Sequence, residues 1–202
     1  LKQEESFSAS FGFTAKIPNA NLSLTVDGFF TGIDDRVVLT GNFDIPDGIV
    51  TGAESARFFA NAIDTETRGF DIVISHKETI SDLSFSSDLA VTFAYTQRVD
   101  EINSSSVLAS QAGTYFGERE SYFLETATPR FKANLGHMLQ GDKWKFFLRN
   151  SFFGSVINPD TTLSATINDT AVAFHPEFAA KIVTDMSFGY DFTENMTLTI
   201  GS

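Results

Sequence analysis

Three histidines, at positions 76, 137 and 175, are the side chains of this sequence best suited to proton transfer or imidazole ligation near neutral pH. His76 follows Phe70, Ile72 and Ile74 in phase, and His137 follows Phe131, Ala133 and Leu135. Both therefore stand on apolar faces, which argues against a catalytic triad or a metal site. His175, in Phe174-His175-Pro176-Glu177, falls in a long connection where it could touch a ligand or serve as an ordinary loop residue. The carboxylate pairs Asp34-Asp35 and Asp44/Asp47 could attract calcium, but they lack the ligand spacing and central glycine of a calcium loop. The absence of cysteine removes thiolate catalysis, disulfides and cysteine metal sites. No glycine-rich phosphate loop leads into a helix. The stretch Val99 to Thr128 is different, setting Tyr115, Phe116, Arg119, Tyr122 and Phe123 among acidic residues. Aromatic and arginine side chains are enriched where surfaces bind partners. The ligand-contact candidates are thus Tyr115, Arg119, Tyr122 and His175, set against the plainer reading that they pack the loop onto its neighbours. No catalytic set, metal set or cofactor site is expected, and the chain does not read as an enzyme.

Composition narrows what could hold these residues. Against 26 acidic side chains stand 14 basic ones, a net charge of −12, which argues against non-specific nucleic-acid binding. Hydrophobic residues make up 42% of the 202, yet no stretch approaches the roughly 20 apolar residues of a membrane-spanning helix. The 22 Phe are too many for a disordered chain. No leader is visible at Leu1, and the chain closes at Ser202 inside an alternating run, which reads as a segment of a longer polypeptide.

The dominant pattern has period 2. Phe7, Ala9, Phe11, Phe13 and Ala15 alternate with small polar residues; Leu22, Leu24, Val26 and Phe30 do the same. A slip of phase near Ile33-Asp34 predicts a β-bulge. Further runs are Phe58 to Ile74, Leu83 to Tyr95, Phe131 to Leu139, Trp144 to Phe152, Ile182 to Phe192 and Met196 to Ile200. That predicts about eight strands and no helix. Short connections (near Pro18–Asn21, Lys77–Asp82, Gly141–Asp142 and Thr193–Asn195) alternate with long ones (roughly 41–57, 98–129 and 155–180). In an up-and-down meander this puts tight turns on one rim and long loops on the other, as in outer-membrane barrels.

A soluble β-sandwich also alternates apolar and polar residues. Strand length favours the barrel, since Leu22 to Gly41 would extend about 66 Å where a lipid-spanning strand needs about 9–11 residues. His76, His137 and Trp144 all adjoin short turns, where a barrel would place them at the membrane interface. The opposite face is expected to carry Ser, Thr, Asn and Gly with Asp27, Glu66, Arg68, Asp71, Asp88, Lys132, Arg149 and Asp185, suiting a wet lumen. Thirteen Phe, from Phe7 through Phe58 to Phe192, would then face lipid.

The stretch Ala180-Lys181-Ile182-Val183-Thr184-Asp185-Met186-Ser187-Phe188-Gly189-Tyr190-Asp191-Phe192 through Gly201 resembles the late strands of TonB-dependent outer-membrane receptors. Asn61 to Asp71, Thr128 to Gly136 and Asp34 to Gly41 are similar to recurrent strand patterns of that family. The resemblance implies an all-β, antiparallel up-and-down transmembrane barrel of about 22 strands, of which 1–202 would be a partial barrel domain without plug or final strands. It implies residence in the Gram-negative outer membrane and import of a scarce nutrient such as an iron chelate or cobalamin. The implied partners are outer-membrane lipid, TonB reached through the missing N-terminal region, a small nutrient ligand and a surface lipoprotein. A passive porin-like or small outer-membrane barrel, and a secreted carbohydrate-binding sandwich, remain as alternatives.

Overall fold

Residues that alternate every second position present one face each, and the computed structural model builds its sheet on that alternation. It describes residues 1–45, 52, 54–104, 106, 109–158, 163–167 and 170–202. Asp47, half of one carboxylate pair considered above, lies outside the described residues. In chain order the strands are β1 (Glu5–Ile17), β2 (Leu22–Leu39), β3 (Phe43–Asp44), β4 (Ser55–Ala56), β5 (Phe59–Ile80), β6 (Leu83–Val99) and β7 (Phe131–Gln140). They continue as β8 (Trp144–Phe153), β9 (Val156–Ile157), β10 (Ser164–Ile167), β11 (Thr170–Ala173), β12 (Glu177–Phe178), β13 (Lys181–Thr193) and β14 (Met196–Gly201).

Eight of these strands form one antiparallel meander in the order β1-β2-β5-β6-β7-β8-β13-β14. The other six make three two-stranded ladders within the long connections. The sheet is open, with β1 and β14 at its edges. No second large sheet packs on it among the described residues, so the sandwich alternative is not what this chain forms. The short connections are as expected: a 3₁₀ turn at Pro18–Ala20, then two to three residues between β5 and β6, β7 and β8, and β13 and β14. The bulge is also present. Pairing of β2 with β5 shifts between Ile33 and Val37, with Asp35 at φ 53°. Backbone groups freed there find side-chain partners: the Asp35 N–H donates to Asp64 Oδ1 (2.7 Å), and Asn61 Nδ2 donates to the Asp35 carbonyl (2.6 Å).

The register separates a mainly apolar face from a mainly polar one across β1, β2, β5, β6, β7, β8 and β13. One row runs Phe13, Val26, Ile72, Val91, Ala133, Phe152 and Ile182. The row one residue over runs Gly12, Asp27, Asp71, Thr92, Lys132, Phe153 and Lys181. On the polar face, hydroxyls pair between strands, as in Thr14–Thr25 (3.0 Å) and Thr67–Thr96 (2.9 Å). Carboxylates join them: Thr92 donates to Asp71 (2.6 Å), and Arg149 donates twice to Asp185 Oδ2 (2.8 and 3.0 Å). Among the described residues no protein covers the apolar face. Phe11 is 85% exposed and Ile182 67%, while the buried apolar residues among those described are Phe43, Ala62, Ile63, Tyr115 and Phe116. Each large side chain left in water forgoes about 1.5–3 kcal/mol. A face of this size is stable only against lipid.

Three expectations need correction. Glu66 and Arg68 are not on the polar face: they pair with Gly32 and Phe30 and so share the phase of Phe70 and Ile72. Even spacing from Phe70 requires this, and both lie toward the long-loop end, where a long side chain can reach past the lipid. Phe58 stands just before β5 and stacks on Phe43 (centroids 5.3 Å apart), so it belongs to the loops rather than to the lipid coat. Helix is present too, as α1 (Ala112–Tyr115) and α2 (Glu118–Glu125). Glu118 and Glu120 sit in the first turn of α2, where carboxylates favour the helix dipole, and the Gly117 N–H donates to Glu120 Oε2 (3.2 Å). At its other end Arg130 donates to the Glu125 carbonyl (3.1 Å).

One glycine is dictated by close approach. A Cβ on Gly69 would overlap the Phe93 carbonyl oxygen on the neighbouring β6 backbone and lie 2.6 Å from Cζ of the Phe29 ring, which reaches over from β2. Gly69→Ala is expected to destabilise the wall by about 1–3 kcal/mol, read from urea unfolding of the reconstituted full-length protein.

Candidate functional site

At the long-loop end three connections fold onto one another, and α2 is their common support. From the first connection, the Gly41 N–H donates to the Thr114 carbonyl (2.8 Å). Beside it, Tyr115 meets Phe43 edge-on at 5.3 Å and Phe58 at 5.8 Å. Phe43 and Tyr115, with Ala62, Ile63 and Phe116, make the hydrophobic core among the described residues, flanked by Val38, Ala60, Ile102 and Leu124, with the exposed Phe58 at its edge. That core sits beneath the loops. It holds the second connection to β5, as does the Asn103 N–H donating to the Ala62 carbonyl (2.8 Å). From the third connection, the Ile157 N–H donates to the Thr126 carbonyl (3.2 Å), and His175 packs its ring on Tyr122 at 4.2 Å.

The four ligand-contact candidates divide into three places. Tyr122 and His175 meet, and Glu118 completes the group with its Oε1 3.2 Å from His175 Nε2. Arg119 turns aside, its guanidinium 4.7 Å over the Phe123 ring and 3.7 Å from Glu120. Tyr115 is 4% exposed inside the loop core. Glu118 escaped sequence reading, although a glutamate one helical turn before Tyr122 would reach the same neighbour once a helix is recognised there. His175→Ala is expected to loosen the third connection from α2. Hydrogen exchange at residues 156–158 should quicken by about fivefold or less, because Glu118 is largely exposed and so open a polar contact is worth at most about 1 kcal/mol.

A cavity of about 510 Å³ opens between the first and second connections, lined by Thr40, Asn42, Arg57, Glu118, Arg119 and Glu120. Two guanidiniums and two carboxylates on its walls can hold a small charged ligand by directed hydrogen bonds. No group of three or more metal-ligating side chains converges among the described residues.

At the other end of the wall, His76, Phe85 and His137 form a continuous aromatic row, with ring separations of 6.1 and 5.9 Å. Trp144 stacks on Phe188 at 6.4 Å and pairs with Tyr190. All lie by the short turns.

A meander with an apolar coat outside, a hydroxyl and charge ladder inside, tight turns at one rim and a knitted loop crown at the other is the wall of an outer-membrane β-barrel. The chain belongs to the TonB dependent receptor-like, β-barrel family, whose model matches residues 1–201. Among solved structures it is similar to the outer membrane transporter YddB from Escherichia coli, with a TM-score of 0.67 at 9% identity over 100% of this chain and 28% of that one. It is also similar to the copper transporter OprC (TM-score 0.59, 14% identity, 98% of this chain and 24% of that). The siderophore receptor PirA from Acinetobacter baumannii gives a TM-score of 0.59 at 13% identity, over 100% of this chain and 27% of that. The chain thus spans about a quarter of the length of the solved relatives it matches. No curated protein matches the sequence directly. Membership of the family places the segment in the Gram-negative outer membrane.

Proposed function

We propose that the whole protein is a TonB-dependent importer of a scarce nutrient, an iron chelate, cobalamin or a compound of similar kind. Residues 1–202 contribute barrel wall and extracellular loops to it. The observation that carries this reading is the family match over residues 1–201. In this reading the crown captures the ligand through Arg119, Tyr122 and His175, with Glu118 beside them and Tyr115 holding the loop behind. TonB acts through a part of the protein outside this chain, and a surface lipoprotein assists capture. His76, His137 and Trp144 mark the periplasmic interface of the outer membrane, where amphipathic rings are favoured.

The test is uptake. A strain lacking the full-length receptor should lose accumulation of one labelled chelate among ferric siderophores and cobalamin, and regain it on complementation only while TonB is active. Accumulation that persists without TonB would replace this reading with a passive barrel.

A further inference from the structure

The outer face is not uniformly filled. Midway along β1, β2, β5 and β6 an apolar groove of about 790 Å³ crosses the four strands. Its floor is Gly28, and Phe11, Phe30, Phe70 and Phe93 form its walls. The gap follows from the register: Gly28 lies between Phe11 and Phe70, so the row of rings is broken for one strand. Phe70 and Phe93 stack at 5.6 Å and close one side.

The groove ends at charge. Tyr95 lines its upper part, and two guanidiniums gather round that ring, Arg68 at 5.7 Å and Arg130 at 4.6 Å from its centroid. Arg130 is held by the Glu125 carbonyl, at 3.1 and 3.2 Å. Neither arginine forms an ion pair with a carboxylate among the described residues. Glu66 is the next outward-facing position beyond Arg68, in register with Gly32 and Gln97. Two cations at the edge of a lipid-facing apolar slot call for an anion that carries its own hydrocarbon. Guanidinium binds phosphate oxygens in pairs, and the aromatic face keeps both cations oriented without neutralising them. Arg130 immediately precedes β7 at its long-loop end, and Arg68 is level with it through Tyr95, so the leaflet they meet is the outer one.

We propose that this groove is a binding site for a phosphorylated, multiply acylated glycolipid of the outer leaflet. One acyl chain lies over Gly28 between the Phe walls, and the phosphate is held by Arg68 and Arg130. The site depends on the outer-membrane location of the wall and is independent of which nutrient the receptor imports.

The full-length receptor in phosphatidylcholine nanodiscs doped with diphosphorylated lipid A provides the test, with bound lipid counted by native mass spectrometry. Wild-type receptor should retain lipid A in preference to phosphatidylcholine. The double variant Arg68→Gln/Arg130→Gln should bind it about twenty-fivefold more weakly, at about fivefold per cation. Gly28→Leu tests the slot separately. A Cβ there meets nothing closer than the Phe11 carbonyl oxygen at 3.8 Å, so the side chain should fit the wall and occupy the acyl groove. That variant should also lose lipid A while keeping both arginines and the heat-modifiable mobility of a folded barrel. Unchanged retention in both variants, or equal retention of phosphatidylcholine and lipid A by wild type, would overturn the assignment.

Discussion

Ile72→Arg is expected to keep the full-length protein from accumulating as a folded barrel, whereas Val73→Arg, one residue along β5, leaves it folded. Ile72 is in register with Val26 and Val91 on the lipid face, and Val73 with Thr25 and Ala90 on the lumen side. An arginine at the bilayer midplane costs about 2–4 kcal/mol in a barrel, a large share of a marginal folding free energy. The same side chain turned into a wet lumen keeps its hydration. Heat-modifiable gel mobility and urea titration of the refolded proteins read the difference. Equal behaviour of the two variants would mean that the faces are assigned wrongly, since one residue of register separates every lipid contact from every lumen contact.

Tyr115→Ala is expected to release the loop crown without opening the wall. Tyr115 is 4% exposed, and truncating it removes the ring that Phe43 and Phe58 both pack against. Removal of a buried aromatic ring costs about 3–5 kcal/mol. Here the cost falls on a local unit, because the wall is held by its own hydrogen-bond ladders. Hydrogen exchange should therefore rise sharply from Ala109 to Glu125 while β5 and β6 stay protected below the loops, and limited proteolysis should cut within the second connection. Capture of ligand should weaken with it if the crown is the recognition surface. A crown that stays protected would show that the aromatic cluster does not hold it.

The wall was legible from the chain alone because strand geometry is local. Successive side chains point to opposite faces, so Leu83 to Tyr95 declares its own inside and outside, and the phase slip at Ile33-Asp34 declares its bulge. The same rule, applied evenly from Phe70 back to Arg68 and Glu66, places those two on the lipid side. Turn length was legible for a related reason, since an antiparallel pair can close with two residues at Ser81-Asp82 and needs nothing from elsewhere.

The crown was not legible, because none of its contacts is local. Glu118 and His175 meet across 57 residues of chain, and Phe43 finds Tyr115 only after β5 and β6 have run out and back. Loops 41–57, 98–129 and 155–180 carry no periodic signal that states which will cover which. The order of residues thus determined the strands, their faces, the bulge and the rim at which the loops stand. Tertiary structure decided that Tyr115 is core, that Glu118 joins His175, and that Arg68 and Arg130 share one ring above a groove. Packing between distant segments depends on shape and distance in space, which alternation along a strand does not encode.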